Sequence, residues 1–236
     1  MRTSEDRLSD APRYGRAFAR WRTAAGDTWH AYTHHPFVEG LRSGSLPQAA
    51  FLHYLAQDYL FLIHFARAWA LAVVKADTLE DMAAAAATVH GLLHEETRLH
   101  VATCAAAGID RAALAATEEA AENLAYTRYV LETGYSGDIL DLLAVLAPCV
   151  LGYGEIGARL TATAAPHTPY RPWIDAYASA DYQQICREAG ALIDGVAARR
   201  LGPDLAASPR WPQLAGRFRT ATRLEVGFWQ MGLQPA

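Results

Sequence analysis

The sequence predicts an all-α fold, a single-domain helical bundle, and three observations carry that prediction. Alanine, leucine and arginine, all good helix formers, dominate the chain. No stretch sustains the period-two alternation through β-branched residues that marks a strand. Glycine, proline and serine punctuation divides the rest into helix-length pieces.

Taken in order, the pieces are 14–34, a short helix at 36–42 after His35-Pro36, then 47–75, 78–107 and 110–133. Three more follow at 138–164, 170–200 with a break near Asp181, and 209–231. Pro47 suits a first helical turn, where its missing N–H would be unpaired anyway. Ser136-Gly137-Asp138 supplies capping chemistry for the 138–164 helix, with a carboxylate at its positive end. Pro148, deep inside that helix, removes one N–H and clashes with the carbonyl four residues back, so a kink is expected over 144–148.

At 236 residues, 52% hydrophobic and 19% charged, the chain has enough apolar mass for one large core. The domain is assigned to 13–236, and the polar segment 1–12 offers almost nothing to bury and reads as a flexible extension. That opening, MRTSEDRLSDAPR, lacks the apolar run of an export signal, and the expected compartment is the cytoplasm. The most apolar stretches, 59–74 and 139–154, are interrupted by polar residues and proline. They fall short of the roughly 20 clean residues of a bilayer span, so both read as buried helices and no membrane partner is expected.

A net charge of −4 with scattered arginines gives no field for a phosphate backbone, which argues against a nucleic-acid partner. Cys104, Cys149 and Cys186 are odd in number, far apart and without CxxC spacing. They read as reduced thiols rather than a disulfide framework or a zinc site.

Three polar residues stand out of place on apolar helices. Tyr54, Asp58, Phe61 and Phe65 share one helix face, so Asp58 sits within an apolar stripe. A buried carboxylate is costly unless paired, and either a neighbouring helix or a ligand must meet it. Cys149 directly follows Pro148; such a cysteine is ordinarily core filler, and the expected kink with Tyr153 one turn on raises the alternative of a thiol presented to a cavity. Glu225 lies among Leu224, Val226, Phe228 and Trp229, surroundings that favour its acid form, the alternative being an ion pair with Arg219 or Arg223.

The run His90 to His100 invites a metal site, but HExxH and Glu-x-x-His are both absent, so a solvated or inter-helix polar face is the expectation. GxSxG and GxxxxGK[ST] are also missing.

The segments HPFVEGLRSGSLPQAAFLHYLAQDYLFLIHFARAWALAVVKA, AYTRYV, LAPCVLGYGEIG, PYRPWIDAYAS and RLEVGFWQM resemble, in order, the TenA-type thiaminase II (aminopyrimidine aminohydrolase) family. Its most specific features here are the Gln-Asp pair and Pro-Cys followed by Tyr-x-Glu-Ile-Gly. The resemblance implies a heme-oxygenase-like bundle, a homotetramer, and hydrolysis of aminopyrimidines, including thiamine, without metal or organic cofactor. It implies Cys149 as nucleophile, Glu225 as acid-base group and Asp58 as anchor for the pyrimidine's amino group and ring nitrogen. Phe61, Tyr126, Tyr153 and Tyr177 match the family's aromatic and tyrosine positions, whereas Gln230 stands where many relatives carry an acidic residue. The breadth of apolar surface on 59–74 also suggests an oligomer.

Two alternatives stay open from the sequence. One is a heme-oxygenase-like metal oxidase using His90, His94, Glu96 or His100. The other is a non-catalytic protein that binds a pyrimidine.

Overall fold

The computed structural model describes residues 12–234, with only the backbone described at 95, 96 and 99. The extension expected at 1–12 lies outside the described residues except for Pro12.

Every described element is helical, and no strand occurs among the described residues. The first expected piece, 14–34, is two helices, α1 (Arg16–Ala25) and α2 (Asp27–Thr33). They part at Gly26, whose φ of 52° is a conformation that side-chain-bearing residues rarely adopt. Next come α3 (Pro36–Ser43) and the 28-residue α4 (Gln48–Lys75), with Pro47 one position earlier than expected, as the N-cap of α4.

The piece expected at 78–107 is also divided. It comprises α5 (Leu79–Gly91), a π-helical segment (Leu92–Glu96) and α6 (Thr97–Ala106).

The piece expected at 110–133 becomes α7 (Arg111–Ala115) and α8 (Ala121–Ser136). Residues 116–120 have good helical propensity, yet tertiary hydrogen bonds override it. The buried amide of Gln57 donates to the Glu118 carbonyl at 2.8 Å and accepts from the Ala120 N–H at 3.0 Å. Asn123 on α8 in turn donates to the Gln57 carbonyl at 2.8 Å. The Gln57-Asp58 pair is thus one residue that measures a connection beside one that faces inward.

The 25-residue α9 (Ile139–Thr163) runs through the centre of the bundle. Asp138 caps it through the N–H groups of Leu140 and Asp141, and Asp141 reciprocates to the Asp138 N–H, closing a capping box. By length and composition α9 would cross a bilayer, but 89% of its most apolar window is buried inside the bundle. The helix continues past Pro148, whose carbonyl accepts a hydrogen bond from the Tyr32 hydroxyl at 3.2 Å.

The break expected near Asp181 falls at Ser179, between α10 (Arg171–Ala178) and α11 (Ala180–Leu201). The Ser179 hydroxyl accepts from the Tyr182 N–H and so caps α11. A 3₁₀ turn (Leu205–Ala207) leads into α12 (Trp211–Gly232).

Helices α8, α10, α11 and α12 surround α9, and α4 packs across α8, α9 and α12. Trp21, Tyr32, Tyr54, Trp69, Tyr126, Phe218 and Trp229 are fully enclosed. Burying a large apolar side chain contributes about 1.5–3 kcal/mol, so these aromatics are a large part of what holds the helices together. Glu155 of the Tyr-x-Glu-Ile-Gly motif binds Arg22 at 2.8 Å and the Trp29 indole at 3.1 Å, tying α1 and α2 to α9.

Candidate active site

α4, α8, α9, α10 and α12 bring the predicted site residues into one aromatic cluster. Asp58 is 3% and Glu225 2% exposed, with no arginine or lysine ion-paired to either among the described residues. Arg219 and Arg223, the expected structural partners of Glu225, are solvent-exposed on α12. Glu225 instead accepts a hydrogen bond from the Tyr126 hydroxyl at 2.8 Å, reaching from α8.

Burial drives the Glu225 carboxyl up to about 8, and the nearby Asp58 adds to the rise, while the Tyr126 hydrogen bond pulls it partway back. Glu225 is therefore largely protonated near neutral pH and is poised as a proton donor.

Asp58 accepts from the Tyr54 hydroxyl at 3.1 Å, and His100 Nε2 lies 2.6 Å from the same carboxylate oxygen. His100 is 1% exposed. The expectation for the histidine run holds in both of its forms: its last member makes an inter-helix polar contact within the core, and the first two face outward. His90 and His94 are exposed, with their rings 4.6 Å apart. The set proposed for a metal is divided between surface and core. Among the described residues, no group of three or more His, Cys, Asp or Glu is placed to hold a metal ion.

Tyr54 lies 3.4 Å, oxygen to oxygen, from the hydroxyl of Tyr153, which links Asp58 on α4 to α9. The Tyr153 ring meets Tyr177 with centroids 4.9 Å apart and Trp229 at 5.3 Å. Phe61 packs on Tyr126 at 5.1 Å and on Phe228 at 5.4 Å. Gly157 brings α9 and α10 into contact, since a Cβ there would lie 2.5 Å from the Tyr177 carbonyl carbon. Tyr177 owes its place to that close approach.

Cys149 is half-buried. Burial raises Tyr32 and Tyr126 well above the ordinary tyrosine range, and the charges of Glu225 and Cys149 push both further in the same direction. The thiol and Glu225 therefore act on the same two hydroxyls. On its other side Cys149 borders a cavity of about 320 Å³, whose wall includes Phe65 and Tyr177 but neither Asp58 nor Glu225. The carboxyls stand behind the thiol, enclosed by the aromatic cluster.

Sequence reasoning missed Tyr32, and it named His100 only as a metal-ligand alternative, not as the partner of Asp58. Their signal was the one that revealed Asp58, a polar side chain in an apolar setting, but His100 was masked by its exposed neighbours and Tyr32 by an ordinary aromatic environment. Gln230 is exposed on α12.

An all-helical bundle that brings a thiol, a carboxyl raised towards its acid form and a second buried carboxylate to aromatic walls has the makings of a nucleophilic and acid-base catalyst. Residues 22–235 match the TENA/THI-4/PQQC family, and the chain belongs to that family. It is 37% identical to the aminopyrimidine aminohydrolase of Halalkalibacterium halodurans, over 86% of this chain and 89% of that one. It is 30% identical to the aminopyrimidine aminohydrolase of Helicobacter pylori, over 89% and 95%. A Silicibacter crystal structure described as a TenA family transcription regulator is 62% identical and superposes with a TM-score of 0.92, over 94% of this chain and 98% of that one.

Proposed function

We propose that this chain is an aminopyrimidine aminohydrolase of thiamine salvage. It converts 4-amino-5-aminomethyl-2-methylpyrimidine to the hydroxymethylpyrimidine and ammonia, and cleaves thiamine to the same pyrimidine and the thiazole. The observation that carries this reading is Glu225, a carboxyl raised to about 8 and hydrogen-bonded to Tyr126, a hydroxyl that the charge of Cys149 also reaches.

A flat, weakly basic pyrimidine needs aromatic faces and a carboxylate for its amino edge. Phe61, Tyr153 and Tyr177 serve as walls, and Asp58 anchors the amino group and ring nitrogen. The thiolate of Cys149 adds to the ring, and Glu225, oriented by Tyr126, protonates the departing amine. Water takes the vacated position, and elimination of the thiolate restores the aromatic ring. The net change is a C–N bond exchanged for a C–O bond at the methylene carbon.

The reading extends to one domain over 13–236 acting in the cytoplasm as a homotetramer. The name of the Silicibacter relative points to gene regulation, but the enclosed thiol and carboxyls favour chemistry. Incubation with each compound while following ammonia or free thiazole tests the proposal, with Cys149→Ser as control. Turnover that stops in the variant while pyrimidine binding persists is the expected result. An unmodified protein that binds a pyrimidine and never turns it over would be a binding protein instead, and activity dependent on stoichiometric iron would overturn the thiol mechanism.

A further inference from the structure

The two oxygens of Asp58 are held unequally. Tyr54 donates to Oδ2 at 3.1 Å from the preceding turn of α4, and His100 Nε2 meets the same oxygen at 2.6 Å from α6. Among the described residues no hydrogen bond engages Oδ1. Asp58 is 3% and His100 1% exposed, so there is little solvent to compete for the contact.

A carboxylate oxygen and a ring nitrogen 2.6 Å apart share a proton, because two bare acceptors at that distance repel. Whether the proton rests on Nε2 or on Oδ2, it is kept at the His100 side of the carboxyl. Oδ1 then presents lone pairs only. The other titratable groups around Asp58 do not compensate its charge: Tyr153 on α9 and Glu225 on α12 are both raised by it. His100 is the ion-pair partner that the described residues give to Asp58. The π-helical segment ahead of α6 takes more residues per turn than an α-helix, and α6 presents His100 to α4 while His90 and His94 stay at the surface.

We propose that His100 is a positioning residue that makes Oδ1 of Asp58 an obligate acceptor, so that the site selects a ring edge bearing an amino group over one bearing an oxo group. The inference rests on the aminohydrolase reading and adds what discriminates within its substrate class. An amino group offers Oδ1 an N–H. An oxo group in the same place sets two acceptors against each other, and a site built around a buried hydrogen bond rejects a partner that cannot make it. Without His100 the enclosed carboxyl keeps only Tyr54, desolvation favours its acid form, and a carboxylic acid donates to an oxo group as well as it accepts from an amine. Loss of the imidazole thus changes the ratio of the two affinities as well as their size.

The test titrates the 4-amino hydroxymethylpyrimidine and its 4-oxo counterpart into Cys149→Ser, with His100 intact and with His100→Leu. The intact site should favour the amino compound by about 10²-fold or more, and His100→Leu should reduce that ratio by about tenfold or more. His100→Gln, whose amide nitrogen stands where Nε2 does, should bring the ratio back to within about threefold. If the leucine variant does not fold, His100→Asn takes its place, since the shorter amide stops at the Nδ1 position. An equal fall of both affinities would make His100 merely structural and overturn the proposal, as would an unchanged ratio.

Binding read without the nucleophile stands apart from turnover. A protein that discriminates through His100 yet never releases ammonia would keep this inference and remove the hydrolase. Release of ammonia by the unmodified protein, with a ratio indifferent to His100, would do the reverse.

Discussion

Two carboxylate pairs in this molecule have opposite electrostatic surroundings. At the start of α9, Asp138 contacts Arg210 at 2.7 Å and Arg200 at 3.1 Å, and Asp141 contacts Arg210 and Arg217, both at 3.1 Å. Burial alone would raise Asp138, but the hydrogen bond from Arg210, the Asp141 N–H and the two guanidinium charges bring it down to about 2. In the aromatic cluster, Asp58 and Glu225 meet tyrosines and a histidine, and Glu225 rises to about 8. Arginine fixes the charge of a carboxylate and makes it architecture. A tyrosine satisfies the hydrogen bond without compensating the charge, so the proton remains available for transfer.

This contrast can be broken most strongly at the thiol beside the second pair. Cys149→Ser should lower kcat by about three orders of magnitude or more, with the thermal midpoint unchanged, as read by ammonia release and calorimetry. Glu225→Gln should lower kcat by about 10²-fold or more. The same variant tests the raised carboxyl thermodynamically. Because the folded state holds its proton up to about 8 while the unfolded chain releases it near the ordinary value of 4.5, the stability contribution is complete below 4.5 and is lost as pH rises towards 8. Glutamine cannot ionise, so the variant's thermal midpoint should fall less than that of the unmodified protein between pH 5 and pH 8.

Tyr126→Phe removes the hydrogen bond that restrains the Glu225 shift. The basic limb of the pH–rate profile, where the acid is lost, should move to higher pH, and an unmoved limb would assign it to another group. The smallest effect is expected at the first pair. Asp138→Ala should cost about 0.5–2 kcal/mol through the lost cap and leave kcat within about twofold. Because Asp138 is lowered from 3.8, its contribution is present above about 4 and disappears as pH falls through about 2, so the variant should also lose part of the acid-unfolding transition.

The sequence revealed more of this site than of the path of the chain. Asp58, Cys149 and Glu225 were legible because each is a polar side chain with apolar neighbours at helical spacing. Phe61, Tyr126, Tyr153 and Tyr177 needed the family resemblance, since buried tyrosines are ordinary. His100 was hidden by geometry. The π-helical segment Leu92–Glu96, which contains His94, takes more residues per turn than an α-helix, so an α-helical count carried along from His90 no longer predicts where His100 points. The breaks at Gly26 and 116–120 were likewise beyond local propensity. One needs a positive φ, and the other is imposed by Gln57 from a helix some sixty positions away.

That amide gives the bundle a gauge. Its two ends clasp a carbonyl and an N–H two residues apart, so the strap between α7 and α8 has a fixed length although it runs along the surface. Adding a residue there would separate the two clasped groups and let α8 slide along its axis, carrying Tyr126 away from its acid. Tolerance to insertion, usually generous in surface connections, is withdrawn at this one by a side chain adjacent in sequence to Asp58.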